Sequence, residues 1–179
     1  MVTRMTVPKQ AARERRDSKP VRNPVFSEFL GITEDHKVPL PAVVKNHLST
    51  SFYRGLVSVL KKEPEAMGIL AEYLKSDNPH TVRRAVKAFC FAAQEGVKLP
   101  EAICNSISDY ILTQYPAINW AAAETLKYAA QSGSELNGHV TQNLEMVLSS
   151  PYADPCIVPE IQEVIRELQK RNSVVVPKE

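Results

Sequence analysis

An internal repeat with a period of 37 residues constrains the fold of this chain more than any other feature of its sequence. Apolar residues recur at that spacing in three sets, and successive sets are four residues apart, which places them on one face of a helix. The sets are Ala66, Ile103 and Val140, then Leu70, Ile107 and Leu144, then Leu74, Ile111 and Leu148. The repeat predicts equivalent helix pairs that bury their apolar faces against one another.

Prolines and glycines recur with the same period and mark the ends of the predicted helices. Pro79 and Pro116 are one period apart, and proline suits the first turn of a helix, where an N–H group has no partner to lose. Gly96 and Gly133 each follow an Ala-Ala-Gln sequence by two residues, a place that suits a left-handed cap. Each unit is therefore predicted to be a first helix, a turn with proline, and a second helix.

The patterns divide the 179 residues into four segments. Residues 1–24 are a predicted flexible basic arm, because so polar a segment cannot bury enough apolar surface to offset the entropy of ordering. Residues 25–39 connect the arm to a helical-repeat domain at 40–172, and residues 173–179 form a C-terminal tail. Within the domain we assign units to 65–96, 100–133 and 134–171, with a shorter capping pair of helices at 41–62, the second of which is predicted to begin at about Thr50.

The first unit also resembles a known repeat family. Residues 74–86, Leu-Lys-Ser-Asp-Asn-Pro-His-Thr-Val-Arg-Arg-Ala-Val, are similar to the turn and second-helix opening of HEAT and armadillo-like repeats. The second unit keeps Pro116 and the alanines but has Asn119-Trp120 in place of Val-Arg, and the third keeps only the apolar spacing. The resemblance covers about residues 64–171. It implies an all-α fold, a short right-handed α-solenoid of antiparallel HEAT-like helix pairs, and a binding role.

The charge of the chain is unevenly distributed. Residues 1–24 hold seven basic and two acidic residues, a formal +5, whereas residues 25–179 hold 15 basic and 18 acidic residues, a formal −3. Basic side chains of the arm and of the first unit are candidate phosphate contacts, although a solvated helix face is the preferred explanation for the second group. These candidates are Arg13, Arg15, Arg16, Lys19 and Arg22 in the arm, and Arg83, Arg84 and Lys87 in the unit.

Two further groups of residues are candidate interaction sites. Ser18 follows Arg15-Arg16-Asp17, which resembles a basophilic kinase site and loosely a phosphoserine-reader motif, and its phosphorylation would weaken binding to an acidic partner. Tyr115, Trp120 and Tyr128 are candidate partner-binding anchors, since tyrosine and tryptophan are enriched at binding hot spots. The alternative for these aromatic residues is core filling between stacked units.

No residue pattern points to catalysis, a metal or a cofactor, so we predict a non-enzyme without either. The four histidines are far apart in the sequence, no glycine-rich phosphate loop occurs, and no cysteine pair has metal-ligand spacing. Cys90 and Cys104 lie in apolar helical patterns, where free thiols act as small hydrophobic groups. With neither a signal core nor a long apolar run, we expect no membrane span and a cytoplasmic location, with the nucleus left open.

Two functions remain in competition from the sequence. The first is an interaction module, an adaptor or scaffold whose concave surface holds a protein or peptide partner. The second is a nucleic-acid-binding structural protein, nucleocapsid-like or coat-like, in which the arm neutralises phosphates while the helical body self-associates. A third and weaker option is an enzyme of unrecognised type, which would need a concave polar pocket.

Overall fold

The computed structural model describes residues 38–174, and this part of the chain is helical and contains no strand. The all-α prediction is therefore confirmed there. The predicted arm (1–24), most of the connecting segment (25–37) and part of the tail (175–179) lie outside the described residues. None of the described helices is long and apolar enough to cross a bilayer. The α-helices are α1 (Leu40–Ser49), α2 (Tyr53–Lys62), α3 (Glu65–Glu72), α4 (Pro79–Gln94), α5 (Glu101–Asp109), α6 (Pro116–Ser132), α7 (Gly138–Ser149) and α8 (Val158–Val174).

The repeated prolines and glycines stand at helix ends, as predicted. Pro79 and Pro116 are the first residues of α4 and α6. Gly96 and Gly133 have φ angles of +79° and +85°, in the left-handed region where glycine has no steric cost. After both helices, the N–H groups of the glycine and of the next residue donate to the carbonyl oxygens of the preceding Ala-Ala pair. This pair of hydrogen bonds is a Schellman motif, and it ends α4 and α6 in the same way.

Helix α1 ends in the same motif but with serine in the left-handed position. Ser51 has φ +57°, its N–H donates to the Leu48 carbonyl at 3.2 Å, and the Phe52 N–H donates to the His47 carbonyl at 2.9 Å. The predicted start of the second helix at Thr50 is therefore wrong. Residues 50–52 form the turn, α2 begins at Tyr53, and Phe52 is exposed.

The apolar repeat positions form the core. Eight of the nine positions are buried, and Leu148 is half-buried and packs against the same cluster. Helices α4 and α6 contribute mainly small residues, since Ala85, Ala88, Ala121 and Ala129 have almost no solvent exposure. The interior is thus a set of larger side chains from all the units, with alanines where α4 and α6 pack closely.

The described helices belong to one compact unit, in which the even-numbered helices contact each other in chain order. Helix α2 contacts α4, α4 contacts α6, and α6 contacts α8. Hydrogen bonds about one repeat apart in sequence also connect successive units. The Tyr110 hydroxyl donates to the Leu74 carbonyl, and the Leu99 N–H donates to the Ser134 hydroxyl at 2.9 Å. Equivalent segments of the repeat are therefore neighbours in space.

Candidate functional site

The three cationic candidates of α4 line one open pocket. Its volume is about 380 Å³, and its other walls come from the turn after α1, the start of α2 and the start of α4. Every lining side chain can donate a hydrogen bond and none is a carboxylate, so the pocket suits an anion. The lining residues are Ser51, Tyr53, His80, Arg83, Arg84 and Lys87.

Local structure explains why these side chains share one surface. The Asn78 Oδ1 atom accepts the His80 N–H at 2.9 Å and so caps the start of α4. From His80, steps of three and four residues lead to Arg83, Arg84 and Lys87, which is the spacing of one helix face. The opposite face of α4 is buried in the core. Burial of that apolar face therefore turns the cationic face outward, towards Ser51 and Tyr53.

The positive charge of the pocket is not neutralised by neighbouring carboxylates. Within residues 38–171, none of Arg83, Arg84 and Lys87 forms an ion pair. Helices α1, α2 and α4 contain no aspartate or glutamate at all. Uncompensated cations around a concave surface attract anions and raise their local concentration. The pocket thus combines a concave shape, hydrogen-bond donors and positive charge.

The positive surface does not extend along the repeat. Residues 38–100 hold nine basic and five acidic residues, a formal +4, whereas residues 101–171 hold four basic and nine acidic residues, a formal −5. One repeat after Lys87, α6 carries Glu124. Lys127 of α6 forms an ion pair with Glu160 of α8 at 2.5 Å. Burial works to lower the pKa of Lys127, but the hydrogen bond and charge of Glu160 raise it, so this lysine stays charged and engaged.

Aromatic side chains lie on the same helices as the pocket. The Tyr53 and Phe91 rings stack with their centroids 5.1 Å apart, and Phe91 is 37% exposed. Trp120 is 39% exposed, so the core-filling alternative does not hold for it. Tyr115 is exposed, whereas Tyr128 is half-buried against the core with the Lys127 Nζ atom 4.9 Å from its ring centroid. Among the described ring contacts, none joins these last three aromatic residues to one another.

Sequence reasoning missed part of the pocket and the aromatic ring next to it. Phe91 does not line the pocket but stacks on Tyr53, and its spacing of four residues from Lys87 could have placed it on the same helix face. Ser51 gave no such signal, because only the turn after α1 brings it to α4, which begins 28 residues later in the sequence. Nothing in the sequence pattern singled out His80, which lies in the pocket wall at the start of α4.

A second polar cluster, between α5 and α7, was not predicted. The His139 Nε2 atom lies 2.7 Å from Asp109 Oδ1, and the Asn143 Nδ2 atom donates to the same carboxylate at 3.1 Å and to the Ser108 hydroxyl at 3.0 Å. Ser108 is fully buried and its hydroxyl donates to the Asn105 carbonyl. Because the serine does not contact the histidine, the cluster lacks the nucleophile–base contact of a hydrolytic site. It joins α5 to α7.

The cysteines behave as the sequence predicts for structural thiols. Burial raises the pKa of the Cys90 and Cys104 thiols to about 12, the nearby carboxylates of Glu124 and Glu101 adding to the shift. Cys156 is exposed. A thiol must ionise to act as a nucleophile, so the two buried cysteines are inert at neutral pH. The described residues include no group of three or more side chains placed to bind a metal ion.

A thiol-labelling experiment tests this burial. In the native protein we expect a thiol reagent such as DTNB to modify Cys156 rapidly and Cys90 and Cys104 only slowly, at the rate at which the fold opens. In denaturant all three should react at once. The absorbance of the thionitrobenzoate that the reagent releases at neutral pH measures the number of protein thiols modified. Rapid modification of all three cysteines in the native protein would contradict the packing of α4 and α5.

The remaining candidates lie outside the described residues. These are Arg13, Arg15, Arg16, Lys19 and Arg22 of the predicted arm, and the candidate phosphorylation site Ser18. Comparison of the chain with protein-family models, curated protein sequences and solved structures gives no match.

Proposed function

We propose that this chain is a non-enzymatic protein-interaction module, an adaptor or scaffold built on a short α-solenoid of antiparallel HEAT-like helix pairs. The observation that carries the proposal is the outward surface of α4 and α6. It combines unpaired cations with large aromatic side chains that the fold leaves exposed. The partner is a protein or peptide with acidic character that contacts both groups.

The contacts between helices support the solenoid. The 37-residue repeat is matched by contacts from α2 to α4, α4 to α6 and α6 to α8. Hydrogen bonds between Tyr110 and Leu74, and between Leu99 and Ser134, connect residues about one repeat apart. In a solenoid each unit contacts its neighbours, and equivalent helices form a continuous surface that suits an extended partner.

The residue types on this surface support a protein partner. Trp, Tyr and Arg are the residues most enriched at binding hot spots, because each provides a large contact area together with a polar group. Trp120 lies one repeat after Arg83, at the equivalent position of the neighbouring helix. The Trp120 side chain therefore occupies on α6 the position that a pocket cation occupies on α4. Such a surface fits an anionic group followed by an apolar side chain.

A capture experiment tests this function. Tagged wild-type protein and the Trp120→Ala variant are incubated with lysate of the cells that express the chain, and the bound proteins are quantified by mass spectrometry. We expect Trp120→Ala to lower capture of the specific partner at least tenfold, a typical loss for a hot-spot tryptophan. Its circular dichroism should change little and its melting temperature should fall by about 3 °C, the shift for a loss of about 1 kcal/mol at a partly exposed site.

The matched control is Met146→Ala. Met146 is 52% exposed on α7, so this variant removes a comparable apolar side chain from a different helix. It should capture the partner as well as the wild type does. Equal capture by the wild type and both variants would mean that the α4–α6 surface is not the interface.

A nucleocapsid-like or coat-like nucleic-acid-binding protein is the second proposal. The formal +5 of residues 1–24 favours it, since basic arms neutralise phosphates and release counterions. The helical body favours it less. Beyond α4, helix α6 carries Glu124 and its Lys127 is already paired with Glu160, so the following helices are less favourable to a polyanion.

A further inference from the structure

We propose that the pocket between the turn after α1 and helix α4 binds a phosphate monoester on the partner, so that this module recognises a phosphorylated serine or threonine. The inference rests on the proposed function and names the chemistry of its partner. The geometry that carries it is the convergence of Arg83, Arg84 and Lys87 with the hydroxyl-bearing residues Ser51 and Tyr53 around one cavity.

The donors of the pocket match a phosphate group. Arginine presents a planar fork of N–H groups that can hold two phosphate oxygens at once, and lysine adds a compact positive charge. A phosphoserine carries roughly −1.5 to −2 charges at neutral pH. The three cations that lack an ion pair within residues 38–171 are sufficient to offset that charge. No carboxylate of α1, α2 or α4 competes for them.

The backbone of Ser51 provides an independent indication. Three of the helices within residues 38–174 end in a Schellman motif, and the other two place glycine, at Gly96 and Gly133, in the left-handed position. Ser51 occupies that position at the wall of the pocket, although glycine would adopt its φ of +57° without strain. Its hydroxyl forms no hydrogen bond with the described residues, and strained residues cluster at binding sites. The Ser51 hydroxyl is therefore available to donate to a ligand.

The distribution of charge favours one phosphate group over a nucleic-acid strand. A strand needs cations along a groove, with about one contact for each successive nucleotide. Here the pocket's cations do not continue onto the neighbouring helix, since α6 carries Glu124 one repeat after Lys87, and Lys127 is already paired with Glu160. A single dianion needs only the pocket itself.

The size and surroundings of the pocket favour a peptide over free phosphate. A volume of about 380 Å³ holds far more than the five heavy atoms of a phosphate group, since a water molecule takes about 30 Å³ in the liquid. One wall includes Tyr53, which stacks on the exposed ring of Phe91. An apolar residue next to the phosphorylated one can pack on that ring pair, as in other modes of phosphopeptide recognition by arginine clusters.

The test measures binding of a fluorescent phosphoserine peptide pool with apolar flanking residues, by anisotropy at physiological ionic strength. The comparison probes are the same pool without phosphate, inorganic phosphate and a single-stranded RNA. We expect the phosphorylated pool to bind at least tenfold more tightly than the unphosphorylated one, because hydrogen bonds to charged groups are the strong ones. The double variant Arg83→Ala, Arg84→Ala should lose about a hundredfold in affinity for the phosphorylated pool.

The matched control removes the same charge elsewhere. The double variant Lys45→Ala, Lys62→Ala takes two exposed cations from α1 and α2 that do not line the pocket. It should bind the phosphorylated pool within about twofold of the wild type, since screening weakens distant charges. An equal loss in both double variants would overturn the proposal, because general positive charge would then explain the binding.

Replacing Ser51 by glycine separates the ligand contact from stability. We expect Ser51→Gly to lower affinity for the phosphorylated pool about fivefold, the worth of one hydrogen bond. The melting temperature should rise by about 3 °C, because glycine relieves the left-handed strain. Unchanged affinity would remove the Ser51 hydroxyl from the site. Since the variant should be more stable than the wild type, failure to fold cannot produce the loss.

The remaining outcomes decide between the phosphate-binding pocket and the proposed interface, or overturn the pocket. Equal binding of the two peptide pools would overturn the proposal, as would inorganic phosphate competing as tightly as the phosphopeptide, which would indicate an adventitious ion only. Displacement of the phosphopeptide by lower concentrations of RNA would assign the pocket to nucleic acid. If capture still depends on Trp120 while phosphate gives no preference, the interaction module stands and only this inference fails. If the phosphopeptide binds but Trp120→Ala captures normally, the pocket stands and the proposed interface on α4 and α6 fails.

Discussion

Replacing Phe89 with alanine should lower the free energy of unfolding by about 4 kcal/mol, the range measured for large buried aromatic side chains. Phe89 is fully buried and lies on α4, which contacts α1, α2 and α6. Its removal leaves a cavity where several helices meet, so the surrounding structure cannot easily collapse to fill it. Urea denaturation followed by circular dichroism measures the loss as a shift of the midpoint at constant slope.

The matched control for this prediction is Phe91→Ala on the same helix. Phe91 is two residues further along α4 and is 37% exposed, with one stacked partner in Tyr53. We expect a loss of about 1 kcal/mol, which is the worth of one aromatic pair at a half-exposed site. Similar losses in the two variants would show that the rotation of α4 about its axis differs from the one described. The cations would then not share the pocket.

The helical units could be predicted from the sequence because their period is encoded in the core itself. Leu70, Ile107 and Leu144 are all buried, and Pro79 and Pro116 begin helices as their spacing indicated. Each of these core positions must be apolar in every unit, because it is buried there. The need for burial therefore appears directly in the sequence as an apolar residue every 37 positions.

The pocket could not be predicted, because it depends on a turn with no sequence signal. A left-handed cap is usually recognised by its glycine. The cap of α1 has Ser51 at this position instead, so the sequence did not indicate a helix end there and α2 was predicted to begin too early. The proximity of His139 and Asp109 likewise follows only from the packing of α7 against α5. Exposure of Trp120 was undetermined, since α6 has alanines on every side and its pattern does not show which face is buried.

The alanines of α4 and α6 allow these two helices to pack closely beneath the proposed interface. Ala85 and Ala88 of α4, and Ala121 and Ala129 of α6, are buried and occupy little volume. The Thr125 hydroxyl donates to the Ala121 carbonyl of its own helix at 2.6 Å and also lies 3.3 Å from the Val86 carbonyl of α4, so the two helices approach closely. The exposed residues of α4 and α6 are therefore held at a fixed separation by small side chains beneath them.

Replacing Ala121 with leucine should disrupt this contact and lower the free energy of unfolding by about 3 kcal/mol, the upper part of the range for overpacked cores. Ala121 is fully buried one helical turn before Thr125, whose hydroxyl lies 3.3 Å from a carbonyl of α4, so a larger side chain there should force α6 away from α4. Thermal melting measures the loss, and phosphopeptide affinity should fall less than stability, because the pocket is formed by α4 and the turn after α1.

The control Ala117→Leu adds the same side chain one turn earlier on the same row of α6, where the residue is exposed. It should change stability by no more than about 0.5 kcal/mol, as surface substitutions usually do. If Ala121→Leu were equally harmless, α4 and α6 could separate without cost. The aromatic side chain of Trp120 and the cations of α4 would then not be held in one register, and the extended interface proposed for α4 and α6 would lose its structural basis.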